Sequence, residues 1–302
     1  MDLTITNITE LFQILNKLRG SYPQRPTESP FIYRGVSDNG FSLIPSIFRQ
    51  VEEQIEDDDF QEPIKNYKYL AHSKEKTILR DFITQASGYI KDIPIDDYLH
   101  WAEYAQHFGA PTRLLDWTSN PLVAMFFACI NNKNDDAAIW ILHKGNYRNY
   151  RIKHSKYSDE EKEIINRLSH QELFNSFFDD KNRIDLKYPL IYHPYYVDSR
   201  MEAQSSVFMF WGTSQESLEN MVPKENYLVP QDPFQGVVYG EKQTQEVLLE
   251  LRIPRSTKQS FIRQLEMIGI NYKTLFPGLD GIGKYIEQKY RIDYNEAALY
   301  GT

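Results

Sequence analysis

Arg34 and Gly35 close the short apolar run Phe31-Ile32-Tyr33 and lead into turn residues. An arginine in that place offers a planar, permanently charged fork suited to bidentate binding of phosphate or carboxylate. The glycine after it lets backbone or ligand approach closely. The competing role is structural, a buried ion pair with Asp38 or Asp116. A second concentration of reactive side chains is WAEYAQHFGAPTRLLDWTSNP, Trp101 to Pro121, which carries His107, Thr112, Arg113, Asp116, Thr118 and Ser119. A histidine whose tautomer is held by an aspartate is an acid–base pair, so His107 and Asp116 are candidate catalytic residues with Arg113 as an anion clamp. Arg113 and Asp116 could equally pair with each other. The structural alternative has Gln106, His107 and Asp116 satisfying backbone groups where a helix stops and the next turn begins.

Several chemistries are excluded. Cys129 is the only cysteine, which removes internal disulfides and multi-cysteine zinc sites. HExxH is missing, no second histidine or carboxylate stands at ligand spacing, and no metal is expected. There is no GxSxG nucleophile elbow and no P-loop, and the spacing of GLDGIGK (Gly278 to Lys284) fits neither phosphate-binding pattern. A net charge of −8 over 302 residues argues against a general nucleic-acid coat but leaves room for a local basic pocket. No apolar run approaches the roughly 18 residues of a membrane helix. The N-terminus carries acids early and no basic segment, which predicts no signal peptide, no membrane partner and a cytoplasmic location.

The elements that must position these residues follow from periodicity. Ile8 to Leu18 reads as an amphipathic helix capped by Asn7 or Thr9. Phe31 to Arg34 is the first strand. The acidic stretch Val51 to Glu62 reads as a solvated loop or a docking segment for a protein partner. Ile78, Leu79, Phe82, Ile83 and Ala86 share one helical face. A second helix opens at Asp96 and stops at Gly109. Thr112 to Trp117 is a strand, Asn120 an N-cap with Pro121 at the first helical position, and Leu122 to Ile130 a helix apolar enough to be buried. Ala137 to Leu142 is a strand, residues 145–182 a charged helical insertion, and three short strands follow in YPLIYHPYYV, SSVFMFWG and EVLLELRIP. Lys258 to Ile268 is helical, and the tail turns into a last helix. Irregular alternation of this kind predicts a single α+β domain over 1–302, with its core at about 25–290 and a mixed, mostly antiparallel sheet carrying helical insertions.

Four of these segments together resemble the FRG domain: Tyr33-Arg34-Gly35, Gln106 to Ala128, Gln204 to Phe208 (QSSVF) and Leu275 to Ile286 (LFPGLDGIGKYI). The family takes its name from the first motif, and its members often look like accessory or defence-type bacterial proteins, so the resemblance implies a bacterial defence or toxin effector. The order of motifs is also similar to ADP-ribosyltransferases of the Arg-Ser-Glu type. Those run from a strand ending in arginine, through a Ser-Thr-Ser strand with an A-x-x-F-A helix, to a strand bearing E-x-E. That resemblance implies a split sheet and NAD as substrate. By it, Arg34, with Tyr33 and Gly35, holds the NAD phosphates, and Thr118 or Ser119 orders the nicotinamide-ribose pocket beside Gln204. Tyr33, Phe41 or Trp117 stacks on nicotinamide, and Glu246 stabilises the oxocarbenium-like ribose as catalytic residue. The middle motif here is DWTSN, and Thr244 stands where the first acid of E-x-E would be, which leaves the acceptor of any modification unassigned. Two alternatives stand beside an NAD-cleaving transferase or glycohydrolase. One is a non-catalytic nucleotide- or partner-binding module, and the other an acid–base enzyme centred on His107 and Asp116.

Overall fold

In a computed structural model the description covers residues 3–20, 29–55, 64–69, 74–131, 134–155, 157–179, 184–194, 198–223 and 247–290. The chain begins with β1 (Leu3–Thr4) and α1 (Ile8–Gly20). The Asn7 side chain caps α1 by accepting from the Glu10 amide at 3.0 Å. Next come β2 (Phe31–Val36), β3 (Gln50–Ile55), β4 (Ile64–Tyr69), α2 (Glu75–Ala86), α3 (Tyr98–His107) and β5 (Leu114–Thr118). The middle of the chain forms α4 (Pro121–Ile130), β6 (Ala137–His143), α5 (Lys144–His154), α6 (Asp159–Arg167), α7 (His170–Ser176) and β7 (Leu190–Tyr192). Then follow α8 (Ser199–Ala203), β8 (Ser206–Phe210), α9 (Leu218–Met221), β9 (Leu248–Ile253), α10 (Lys258–Met267), α11 (Tyr272–Leu275) and α12 (Leu279–Tyr290).

Seven strands form one open sheet in the order β1-β9-β6-β2-β5-β8-β7. Only β1 and β9 run parallel; every other neighbouring pair is antiparallel. The fold is thus a compact α+β arrangement, as the sequence pattern predicts. Residues Val51 to Ile55, read from sequence as the start of an acidic loop, instead pair with β4 in a separate two-stranded hairpin. The acidic residues 56–62 that follow lie outside the described residues.

The helices cover the sheet because each apolar stripe needs a partner surface. One core joins α4 and α10 to Phe31, Tyr33, Ile139, Ile141, Leu249 and Leu251 on one face. The opposite face packs Ile32, Val36, Trp117, Trp140 and Leu142 with Tyr147 and Tyr150 of α5. Alternation of β2 side chains between these two cores is the period-2 rule of a strand buried on both sides. The segment read as an insertion is part of the core as well. Leu173 and Phe174 of α7 pack with Trp101 of α3 and Phe210 of β8. Asn120 caps α4 through its Oδ1, 2.9 Å from the Leu122 amide, with Pro121 at the first helical position. Among the described residues no helix is long and apolar enough to cross a membrane.

The joint at the centre of the sheet matters most for the site. β2 pairs with β6 along its whole length, from Phe31–His143 to Val36–Ala138, and β5 with β8 from Leu114–Phe210 to Thr118–Ser206. Between β2 and β5 a single residue pair, Tyr33–Thr118, holds the register. Past that pair the two halves of the sheet part.

Candidate functional site

A cleft of about 990 Å³ opens where β2 and β5 diverge, a volume at the upper end for ligand pockets. Tyr33, Arg34 and Gly35 line it from one side and Asp116, Trp117 and Thr118 from the other. Phe41 and Arg49 come from the segment after β2, Glu103 and His107 from α3, and Arg200 and Gln204 from α8 and its C-terminal end.

Arg34 spans the split. Its Nη1 donates to the Asp116 carbonyl at 2.5 Å, taking the place of a ladder hydrogen bond that the parted strands do not make. The same nitrogen stands 3.9 Å from the Asp116 carboxylate, and the side chain is 16% exposed. Its Nε is buried without a hydrogen-bond partner. Burial pulls the Arg34 pKa down to about 10, partly offset by Asp116, so the guanidinium stays charged at neutral pH. Burial also lowers Arg49 and Arg200, and Asp116 opposes the shift in both. Asp116 therefore acts on all three guanidiniums, and Asp198 acts on Arg200 beside it. Arg49 donates through Nε to the Ile44 carbonyl, and the Arg200 guanidinium lies 4.3 Å from the Phe276 ring centre, so both are held in place by groups other than Asp116.

The sequence-predicted residues separate into three groups. Tyr33, Arg34, Gly35, His107, Asp116, Trp117, Thr118 and Gln204 all meet at the cleft. Arg113 does not line it. Its guanidinium is buried on α2, bonded to Glu75 through Nε (2.9 Å) and Nη2 (2.5 Å), with Nη1 donating to the carbonyls of Trp211 and Gly212. Ser119 is exposed and its hydroxyl donates to the Ser205 carbonyl. Glu246 lies outside the described residues. Its neighbour Val247 is fixed by the His143 amide, which donates to the Val247 carbonyl. By register Val247 sits two strands across and three residues along from Arg34, about 14 Å away.

Several roles change on inspection. Asp116 does not hold the His107 ring; that imidazole pairs with Asp198 at 3.4 Å, and burial lowers its pKa. Asp116 is instead held by Gln106, whose Nε2 donates to Oδ1 at 2.8 Å, while the Thr112 hydroxyl donates to Gln106 Oε1. Gln106 thus joins side chains rather than capping the helix end. The Thr118 hydroxyl donates to the Gln204 carbonyl at 2.7 Å and accepts from the Asn120 amide. Gln204 Nε2 donates to the Leu275 carbonyl. These polar groups stitch β5 to the start of β8, where Ser205 adopts φ +49°, a backbone state that non-glycine residues seldom hold outside constrained sites. Gly35 has a packing duty of its own. A Cβ there would stand 1.8 Å from the Ala124 carbonyl of α4.

Glu103, Arg49 and Arg200 are lining residues that sequence reasoning missed. For Glu103 the signal was present: His100, Glu103 and His107 fall at i, i+3 and i+7 on α3, one helical face. Glu103 is 2% exposed. Its carboxyl meets the hydroxyl of Tyr192 on β7, and each group shifts the other's protonation. Burial pushes the Glu103 pKa from 4.5 up to about 7, with Asp97 adding to the rise and His100 and Tyr192 opposing it.

This shift has a measurable consequence. A carboxyl whose folded pKa exceeds its unfolded value binds its proton more tightly in the native state, so its contribution is full below pH 4.5 and is lost as pH rises through 7. Glu103→Gln keeps a neutral side chain at every pH. Its melting temperature should therefore gain on the wild type from pH 5 to pH 8, a difference of up to about 3 kcal/mol. Parallel melting curves for the two proteins across that range would refute the buried, proton-holding carboxyl.

No curated protein and no solved structure is similar to this chain. The QSSVF segment at Gln204 and the LFPGLDGIGKYI segment at Leu275 lie beyond the one segment that a family model covers. That segment contains β2 with Arg34, all of α3 with Glu103 and His107, and β5 with Asp116: residues 29–137 match the FRG domain.

Proposed function

We propose that the cleft binds a phosphate-bearing nucleotide, with NAD the first candidate, and that Arg34 is the principal contact to its phosphates. One observation carries this: the guanidiniums of Arg34, Arg49 and Arg200 line one cleft, and the most buried of them has an Nε with no partner. A phosphate supplies an acceptor and a countercharge, and Arg meets it with a bidentate fork. Trp117, Phe41, Phe48 and Phe127 offer faces for a base or a nicotinamide ring. The choice of NAD rests on the order of Tyr33-Arg34-Gly35, the Thr118-Ser119 turn and the following apolar helix, which resembles the ADP-ribosyltransferases. A non-catalytic nucleotide-binding module is the second reading, favoured by the incomplete E-x-E pair at Thr244 and Glu246.

Thermal unfolding with NAD, ADP-ribose, nicotinamide and inorganic phosphate tests the proposal. Ligand at about 100 times its Kd stabilises by about 2.7 kcal/mol, so NAD and ADP-ribose should raise the Tm and nicotinamide alone should not. Arg34 also bridges the sheet, so Arg200→Ala, which leaves that bridge intact, is the cleaner variant. It should weaken binding by roughly tenfold or more, the worth of a hydrogen bond to a charged group. A Tm indifferent to every phosphate-bearing ligand would sink the proposal.

A further inference from the structure

We propose that Phe276 is the positioning residue for the anion contact at Arg200: its ring holds the flat face of the guanidinium and leaves the N–H edge to the cleft. The inference rests on the nucleotide reading above. It gives a role to LFPGLDGIGKYI, Leu275 to Ile286, a segment that reading does not use. Arg200 lines the cleft and Phe276 does not, so Phe276 acts through the arginine.

The Arg200 guanidinium lies 4.3 Å from the Phe276 ring centre, well within reach of a cation–π contact. Among the described residues that guanidinium makes no hydrogen bond and no ion pair; Asp116 and Asp198 act on its charge from farther off. An anion contact needs this arrangement. A carboxylate partner would hold the side chain by its in-plane N–H groups and neutralise it, whereas an aromatic face does neither. Arg113 is the opposite case. It too lies 4.3 Å from a ring, that of Phe177, but its fork is spent on Glu75 and on the Trp211 and Gly212 carbonyls.

The surroundings of Phe276 keep that ring in place. Asn271 and Thr274 form a capping box at the start of α11. Gly281 of α12 seats against the Phe276 carbonyl, where a Cβ would stand 1.8 Å from the oxygen. The Phe127 ring meets Phe276 edge-on at 6.1 Å, and Lys284 Nζ reaches the same ring at the longer distance of 5.9 Å. One residue earlier, the Leu275 carbonyl accepts from Gln204 Nε2 at 3.0 Å, at the C-terminal end of α8. That helix has five residues, too few to stand without tertiary ties. Leu275 and Phe276 thus fix both the helix that carries Arg200 and the guanidinium itself.

Titration calorimetry of the full chain with ADP-ribose tests the role, using Phe276→Leu, Phe276→Tyr, Arg200→Ala and the double variant Arg200→Ala/Phe276→Leu. Leucine keeps an apolar side chain without a ring, and tyrosine keeps the ring. Phe276→Leu should weaken binding about three- to tenfold, and Phe276→Tyr should bind within about twofold of wild type. In the Arg200→Ala background Phe276→Leu should cost less than about twofold more, because the group it positions is gone. A loss under about threefold in Phe276→Leu overturns the role. So does an equal loss in Phe276→Tyr, or a loss that persists in full without Arg200, since a merely structural Phe276 gives either. In those cases ADP-ribose still binds wild type and the nucleotide reading stands. No heat and no Tm shift in wild type with ADP-ribose, NAD or inorganic phosphate overturns the nucleotide reading, and the role of Phe276 with it.

Discussion

Glu75→Ala should lower the unfolding free energy by about 3–5 kcal/mol, the cost of leaving one member of a buried ion pair alone. The partner left behind is Arg113, only 7% exposed against 4% for Glu75. Two Arg113 nitrogens bond that carboxylate, a third bonds the Trp211 and Gly212 carbonyls, and the guanidinium lies 4.3 Å from the Phe177 ring centre. These contacts tie α2, the start of β5, the end of β8 and the segment after α7 to one point. Urea unfolding of Glu75→Ala, Arg113→Met and the double variant measures the effect. The double variant should be less destabilised than the sum of the singles, because neither charge is then left alone. Additive losses, or a single loss under about 1 kcal/mol, which is the range of exposed pairs, would show that the pair is solvated. Nucleotide binding should persist in whatever fraction stays folded, since Arg113 does not line the cleft.

Gly35→Ala should be the most damaging change within the YRG motif. The new methyl would stand 1.8 Å from the Ala124 carbonyl oxygen and 2.7 Å from the Ala128 amide nitrogen, both backbone atoms of α4. No rotamer relieves such a contact, so α4 must back away from β2 by more than about 1 Å, and overpacking of this kind costs about 1–3 kcal/mol or more. The damage reaches the cleft as well, because Gly35, Val123 and Ala124 all line it. A fall in Tm together with a loss of the NAD-induced shift is the expected result, and full retention of both would mean that the helix does not sit where the packing places it. From sequence Gly35 is a place where backbone or ligand approaches closely. The closest approach is by the protein's own helix, and the cleft begins beside it.

Much of the architecture was legible because the local signals agree with one another. Asn120-Pro121 starts α4, Gly109 at φ +88° and Gly269 at φ +79° follow α3 and α10, and the period-2 and period-3.6 patterns mark the strands and helices. The site was legible only in part. Arg34, Asp116, Trp117, Thr118 and Gln204 do converge, and the short YRG, DWTS and QSSVF motifs announced them. Arg49 and Arg200 stand in unremarkable surroundings, and nothing local says that a turn after β2 and a five-residue helix will face the same space. Glu103 was hidden differently: on an amphipathic helix a glutamate reads as solvent-facing, and only the packing of α3 under β7 and β8 turns it inward.

Arg113 and Arg34 show where sequence stops and tertiary structure begins. From sequence both are arginines at the edge of a strand, each within a recognisable motif, although β2 in fact runs past Arg34 to Val36, and residue type alone gives them the same capacity to hold an anion. The chain order determines the strands, their faces and which residues are level with one another, because those depend on neighbours a few positions away. Which arginine meets a protein carboxylate and which keeps a spare donor depends on residues 38 and 82 positions off. That distinction is decided by the way β2 and β5 part after one pair. The parting puts a charged fork across an open gap, while the packing of α2 closes over the other.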